Sequence, residues 1–284
     1  PFDGLFTQGM VCHETYKDQK NNWLSPEEIF SNNNKEFFVK NNPSERVIVG
    51  PTESMSKSKK NTIDPENIIK NYGADAVRLF ILSDSPPEKD IQWSDQGMLA
   101  SYKFLQRLWL LHTKILEKIT LNEKKDADEN LTKFTNQLIN KITQNLEKFH
   151  YNVIIANLYE MYNFLTKELG KPLNKKDLLK NYQKILTIMI PVIPHFANEC
   201  LNSLTKEEVK WPKISAEQLI EEHINFVIQI NGKKRAIIEV KRDIDEKALL
   251  KEIQENNKEV KKFLKDQKIK KTIFIHNRLI NIIL

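Results

Sequence analysis

Ser54-Met55-Ser56-Lys57-Ser58-Lys59-Lys60-Asn61 sets the reading of the whole chain. Three ammonium groups and three hydroxyls fall within eight residues, and Met55 is the only apolar member. Gly50-Pro51 comes just before, and Asp64-Pro65-Glu66 just after reads as a helix start, with Asp64 at the N-cap and Pro65 at the first helical position. A short basic, hydroxyl-rich loop between a strand and a helix suits a polyphosphate. Lysines meet the charge, while backbone N–H groups and hydroxyls meet the oxygens. A lysine run by itself more often marks a solvated surface, so the order of the surrounding residues has to decide.

That order is Met55-Ser56-Lys57-Ser58-Lys59-x-Asn61, then Asp64-Pro65, then Tyr72-Gly73-Ala74-Asp75-Ala76-x-Arg78. It resembles the signature loop of class I aminoacyl-tRNA synthetases. Leu5-Phe6-Thr7-Gln8-Gly9-Met10-Val11 upstream and Ser85-Pro86-Pro87-Glu88-Lys89-Asp90-x-x-Trp93-Ser94 downstream are similar to the bacterial leucyl-tRNA synthetase. The resemblance runs from the first residue to the last. In one departure, Ser54 stands where the family loop usually begins with a lysine, so Lys57 is the family lysine that carries over.

Composition bounds the alternatives. The 284 residues are 40% hydrophobic and 29% charged, as in an ordinary globular protein with room for two or three domains. Only 7 glycines favours helices over a turn-rich β protein. There is no apolar run of about 18 residues, so no membrane span is expected. Cys12 and Cys200 lie far apart and read as reduced thiols of a cytoplasmic protein. The 6 histidines have no metal-ligand spacing, so no zinc or other metal site is expected. The net charge is +6, and from His223 onward 15 Lys/Arg face 8 Asp/Glu, which is +7, leaving −1 for the first 222 residues. That excess points to an acidic partner for the tail, most simply nucleic acid.

Along the chain, Leu5–Val11 reads as a short buried strand with Gly9 allowing close backbone approach. Residues 13–46, broken by asparagine-rich turns, read as a polar insertion that either meets tRNA or merely decorates the fold. Residues 65–72 and 73–83 read as two helices, the second with Val77, Phe80 and Ile81 as its apolar stripe. From Ser94, Met98, Tyr102, Leu105, Trp109, His112, Leu116 and Ile119 recur at spacings of four and three, one face of a long helix. Four more amphipathic segments follow, giving a bundle: one with Leu131, Phe134, Leu138, Ile142 and Phe149; one capped by Asn152 and ending at Gly170; one over about 175–190; and one from Pro194 to about Leu204. His112 and His195 read as packed or capping residues. After a linker at 213–222 the period changes to two: Ile224, Phe226, Ile228 and Ile230, a turn at Asn231-Gly232, then Ala236, Ile238 and Val240. A helix from Asp245 and strands at 272–275 and 279–284 complete a ββαββ module.

The expected fold is therefore mainly α, in three parts. Residues 1–93 form the C-terminal edge of a Rossmann-type catalytic domain with its insertion and loop. Residues 94–212 form an antiparallel helix bundle that binds the anticodon arm of tRNA, and 223–284 a small basic α+β domain that binds tRNA. The resemblance implies ATP-dependent attachment of leucine to tRNA(Leu) through leucyl-adenylate, with ATP, Mg²⁺ and leucine as partners and a monomeric enzyme. Lys57 is the implied catalytic residue. Ser54, Met55, Ser56, Lys57 and Ser58 form the ATP loop, and Lys59, Lys60, Arg78, Lys233, Lys234 and Arg235 are candidate tRNA contacts. For Arg78 a structural ion pair is the competing role. The family's His-x-x-His is nowhere in the chain and no editing insertion fits, so the chain reads as a C-terminal fragment, inactive alone. Two alternatives stay open: a non-catalytic tRNA-binding module, and an isoleucyl, valyl or methionyl synthetase.

Overall fold

The computed structural model describes residues 4–32, 36–121, 128–214, 219, 223–256, 258–264 and 269–284. The chain divides into two compact units, 1–218 and 219–284.

In the first unit, β1 (Val11–Lys17) is central to a small sheet. It pairs antiparallel with β2 (Trp23–Leu24) and β6 (Ile48–Ser54), and parallel with β7 (Ile91–Gln92). Between β2 and β6, β3 (Ile29–Ser31), β4 (Phe37–Val39) and β5 (Asn42–Arg46) make a separate three-stranded sheet, so the polar 13–46 stretch is mostly ordered strand and its first five residues belong to β1. The strand expected at Leu5–Val11 begins only at Val11, and Leu5 is fully in solvent. The Gly9 N–H donates to the Pro87 carbonyl, and a Cβ on Gly9 would collide with the Lys89 carbonyl oxygen. The segment therefore crosses the 86–90 turn, with Phe6 stacked on Phe149, instead of joining a ladder.

Two short helices follow the lysine loop. In α1 (Pro65–Tyr72) the Asp64 carboxylate accepts from the Glu66 N–H, as the sequence predicts. Gly73, at φ +83°, turns the chain into α2 (Ala74–Ser83). Five helices then form the bundle: α3 (Asp95–Thr120), α4 (Glu129–Glu147), α5 (Tyr151–Glu168), α6 (Lys175–Met189) and α7 (Pro194–Leu204). Asn174 caps α6, whereas Asn152 lies inside α5, whose N-cap is His150.

The bundle core takes Phe104, Leu108, Leu111 and Ile115 from α3, a stripe one residue offset from the predicted one, and leaves Trp109 46% exposed. Leu79 of α2 lies in that core, so the break expected at 93–94 falls inside one compact unit. The helical share is about half, with eleven strands among the described residues, and "mainly α" becomes a mixed fold.

The second unit keeps the predicted order: β8 (His223–Ile230), β9 (Lys233–Lys241), α8 (Glu246–Asn256), α9 (Lys258–Leu264), β10 (Lys271–Ile275) and β11 (Leu279–Ile283), in a sheet ordered β10-β11-β8-β9. Ile224, Phe226, Ile228, Ile230 and Val240 face a core closed by Leu249, Ile253 and Val260. Most of the 213–222 linker lies outside the described residues.

Candidate nucleotide-binding loop

The loop is fixed at both ends. At its start the Met55 N–H donates to the Val11 carbonyl, and Ser54 pairs with Cys12 across the β1–β6 ladder. At its far end Asp64 opens α1. Between them Lys57–Lys59 forms one 3-10 turn. The Ser56 hydroxyl caps this turn, accepting from the Lys59 N–H at 3.3 Å, and the Ser58 hydroxyl lies 2.8 Å from it. Lys60 ends the turn in the left-handed region, φ +53°, with its N–H on the Lys57 carbonyl.

Asn61, fully buried, holds this turn in place. Its Oδ1 accepts from the Ser56 N–H at 2.8 Å, and its Nδ2 donates to the His13 and Glu53 carbonyls at 3.3 Å each. The side chain thus ties the loop to both neighbouring strands. Asn61 stands in the quoted motif, but its sequence carries no sign that it is the brace; burial alone reveals that.

The three lysines have different fates. Lys59 forms an ion pair with Glu53 of β6. Lys60 lies 3.3 Å from Glu28, which sits in the 3-10 turn before β3. The Ser25 N–H, and after it the Lys60 ammonium, hold the Glu28 carboxyl below the usual carboxylate range. Lys57 is exposed, and its ammonium has no carboxylate partner among the described residues. The loop therefore presents one uncommitted cation beside two neutralised ones, with Ser56 and Ser58 hydroxyls next to it. An anion meeting this surface finds its unopposed charge at Lys57.

The other predicted residues are dispersed. Arg78 forms no ion pair among the described residues: its Nε donates to the Val192 carbonyl at 2.8 Å and its Nη2 to the Pro191 carbonyl at 2.6 Å. Those two carbonyls lie beyond the end of α6, where helix carbonyls lack intrahelical partners, and a guanidinium suits them. Lys233, Lys234 and Arg235 are exposed at the start of β9, after a turn in which Asn231 and Gly232 both take positive φ. Arg235 lies over the Phe263 ring at 4.3 Å.

Both histidines singled out are structural. His112 is buried between the Tyr182 hydroxyl at Nδ1 (3.0 Å) and the Ser203 hydroxyl at Nε2 (3.2 Å). Burial pushes the His112 pKa down and that of Tyr182 up. Cys200, buried nearby in α7, has its thiol pushed up to about 12 by burial. Among the described residues no group of three or more His, Cys, Asp or Glu is placed to hold a metal ion, and no helix is long and apolar enough to cross a membrane.

Comparison with known proteins finds two family matches along the chain. The family described as "tRNA synthetases class I (I, L, M and V)" matches residues 18–94, which include the loop, α1 and α2. The family described as "Anticodon-binding domain of tRNA ligase" matches residues 128–253, running from α4 into α8. A leucine–tRNA ligase of Orientia tsutsugamushi (strain Boryong) is 40% identical over 296 residues, and one of Bartonella henselae is 38% identical over 299; each alignment takes in all of this chain. The chain is related to the leucine–tRNA ligases along its whole length. It spans about a third of the length of these curated relatives, 34% in both cases. Among solved structures, the ternary complex of Agrobacterium radiobacter K84 agnB2 LeuRS with tRNA and LeuAMS matches 81% of this chain and 31% of its own, with a TM-score of 0.67 and 26% identity. This kinship with leucine–tRNA ligases favours the leucyl over the isoleucyl, valyl and methionyl alternatives.

Proposed function

We propose that the chain is part of a leucine–tRNA ligase that uses ATP to make leucyl-adenylate and then leucyl-tRNA(Leu). The observation that carries this reading is the loop at 54–61, braced by Asn61, with Lys57 as its one ammonium unpaired among the described residues. In the first step a leucine carboxylate oxygen bonds to the α-phosphorus of ATP, and the bond from that phosphorus to the bridging oxygen of pyrophosphate breaks. Negative charge grows on the leaving pyrophosphate. A cation fixed there is worth more in the transition state than before it, which is the condition for catalysis and not mere binding. Lys57 is the residue for that role, with Ser56 and Ser58 donating to phosphate oxygens. In the second step a ribose hydroxyl at the 3′ end of tRNA attacks the leucyl carbonyl and AMP leaves.

Mg²⁺ would arrive on the nucleotide. The bundle and the basic second unit are the surfaces for tRNA, with Lys233, Lys234 and Arg235 as phosphate contacts of the latter. Lys59 and Lys60, held by carboxylates, would meet tRNA only after exchanging those partners. A monomer working in the cytoplasm fits this role. The test is ATP–pyrophosphate exchange by the whole protein that carries this chain, with leucine, isoleucine, valine and methionine compared. Exchange dependent on leucine is expected; exchange driven by another of the four, or by none, refutes the reading.

A further inference from the structure

Helix α2, which follows α1, packs into the bundle, and one turn of it holds a corner of that bundle at both ends. Asp75 is buried, and its carboxylate accepts from the His195 Nδ1 at 2.9 Å, the His195 N–H at 3.4 Å and the Phe196 N–H at 2.7 Å. Those two N–H groups belong to the first turn of α7, where a helix has donors without intrahelical partners and a positive dipole end. Arg78, three residues on, donates to the Pro191 and Val192 carbonyls just after α6. One carboxylate and one guanidinium at i and i+3 thus satisfy the start of α7 and the stretch after α6 together. Each charge meets the dipole sign that favours it.

The rest of α2 makes this grip consequential. Leu79 is buried in the bundle core, while Ala76 and Phe80 belong to a second cluster with Ile68 and Tyr72 of α1. Only Gly73 separates α1 from α2, and Asp64 caps α1 three residues after the brace Asn61. A continuous path of contacts and chain therefore runs from the α6–α7 corner through Asp75 and Arg78, α2 and α1 to the loop that carries Lys57. Ile193 at the α7 N-cap supplies no side-chain acceptor, so the cap of α7 comes from α2 and ties the two elements together.

We infer that Asp75 and Arg78 are positioning residues that register the lysine loop against the tRNA-binding bundle, and so govern the tRNA-dependent step of the reaction. The inference rests on the ligase reading above. It predicts that Asp75→Asn and Arg78→Ala leave leucine-dependent ATP–pyrophosphate exchange without tRNA, and the affinity for tRNA, within about twofold of the parent. Leucyl transfer to tRNA should fall by about 5- to 30-fold, the usual span for coupling between sites. Arg78→Lys, which keeps the charge and can reach one carbonyl, should recover part of the loss. Thermal unfolding measured alongside separates this from loss of fold. A merely structural role lowers exchange, affinity and transfer together with the unfolding temperature, or changes none of them, and either pattern overturns the inference. If the parent protein itself shows no leucine-dependent exchange, the ligase reading fails first, and the two failures are distinct.

Discussion

Replacing Asn61 by alanine tests whether one buried amide sets the shape of the lysine loop. The alanine removes four hydrogen bonds of unequal weight. The 2.8 Å bond from the Ser56 N–H is the strong one, and nothing else among the described residues accepts from that N–H. The bonds from Nδ2, at 3.3 Å to the His13 and Glu53 carbonyls and at 3.5 Å to that of Ser54, go to paired strands and are weaker. Leaving a buried N–H without a partner costs about 1–3 kcal/mol, and the weaker Nδ2 bonds together add about 1 kcal/mol, so about 2–4 kcal/mol is expected. The cost should appear locally, because the brace holds one turn and not the sheet. Hydrogen exchange at the Lys59 and Lys60 amides, which bond to Ser56 and Lys57 carbonyls within that turn, should accelerate by about 30- to 900-fold. Asn61→Asp keeps the acceptor for Ser56 but turns an oxygen toward the His13 and Glu53 carbonyls. It should be as harmful at neutral pH and recover as the pH falls and the carboxyl gains a proton to donate. Exchange rates within twofold of the parent in Asn61→Ala would refute the brace.

Three further outcomes are expected. Lys57→Ala in the whole protein should lower the rate of leucine-dependent exchange by about 10²–10³ with leucine affinity nearly unchanged, and an unaltered rate removes Lys57 from the chemistry. His112, whose folded pKa lies below its ordinary value because it is buried, contributes stability that is full above about pH 6.5 and is lost as pH falls through the folded value, since the unfolded chain binds the extra proton. The urea midpoint should therefore drop between pH 7.5 and pH 5, and drop less in His112→Gln; equal slopes in parent and variant would assign the pH dependence elsewhere. Reversing Lys233, Lys234 and Arg235 to glutamate should weaken tRNA binding and flatten the slope of log affinity against log salt by about 0.7–0.9 for each phosphate no longer neutralised. An unchanged slope means these charges serve solubility.

Local chemistry made much of the fold legible, and tertiary packing hid the rest. The Asp64-Pro65 helix start, the Asn231-Gly232 turn and the alternation from Ile224 to Ile230 are settled within a few residues of chain, and all three appear as read. The α3 stripe shows where period alone gives out. Phe104, Leu108, Leu111 and Ile115 are as regularly spaced as the predicted Leu105, Trp109, His112 and Leu116, one residue away. Helix α3 packs against α2 and α1 near its start and against the bundle along its length, so it carries apolar residues for two neighbours. A single sequence cannot say which stripe goes deeper. Leu5–Val11 departs from its reading for a related reason. It is apolar enough for a strand, but no β partner is at hand among the described residues, and Gly9 lets it lie over the 86–90 turn.

The candidate site divides along the same line. A lysine-rich loop could be recognised from its own residues, but the state of each lysine depends on Glu53 and on Glu28, 32 residues before Lys60. Exposed ion pairs of this kind add only about 0–1 kcal/mol of stability each. Their effect is instead on what the loop offers to an anion. With Lys59 and Lys60 matched by carboxylates, the local charge falls from three to near one, and that one is placed at Lys57 beside two hydroxyls. A diffuse cluster of three ammonium groups would attract any polyanion along its length, tRNA included. A single uncommitted ammonium on a braced turn discriminates by position, which is what stabilising charge on one departing group requires. Ser54, where the family loop usually begins with another lysine, keeps that arrangement single: with β1 and β6 on one side and Asn61 beneath, charge recognition in this loop reduces to where Lys57 is held.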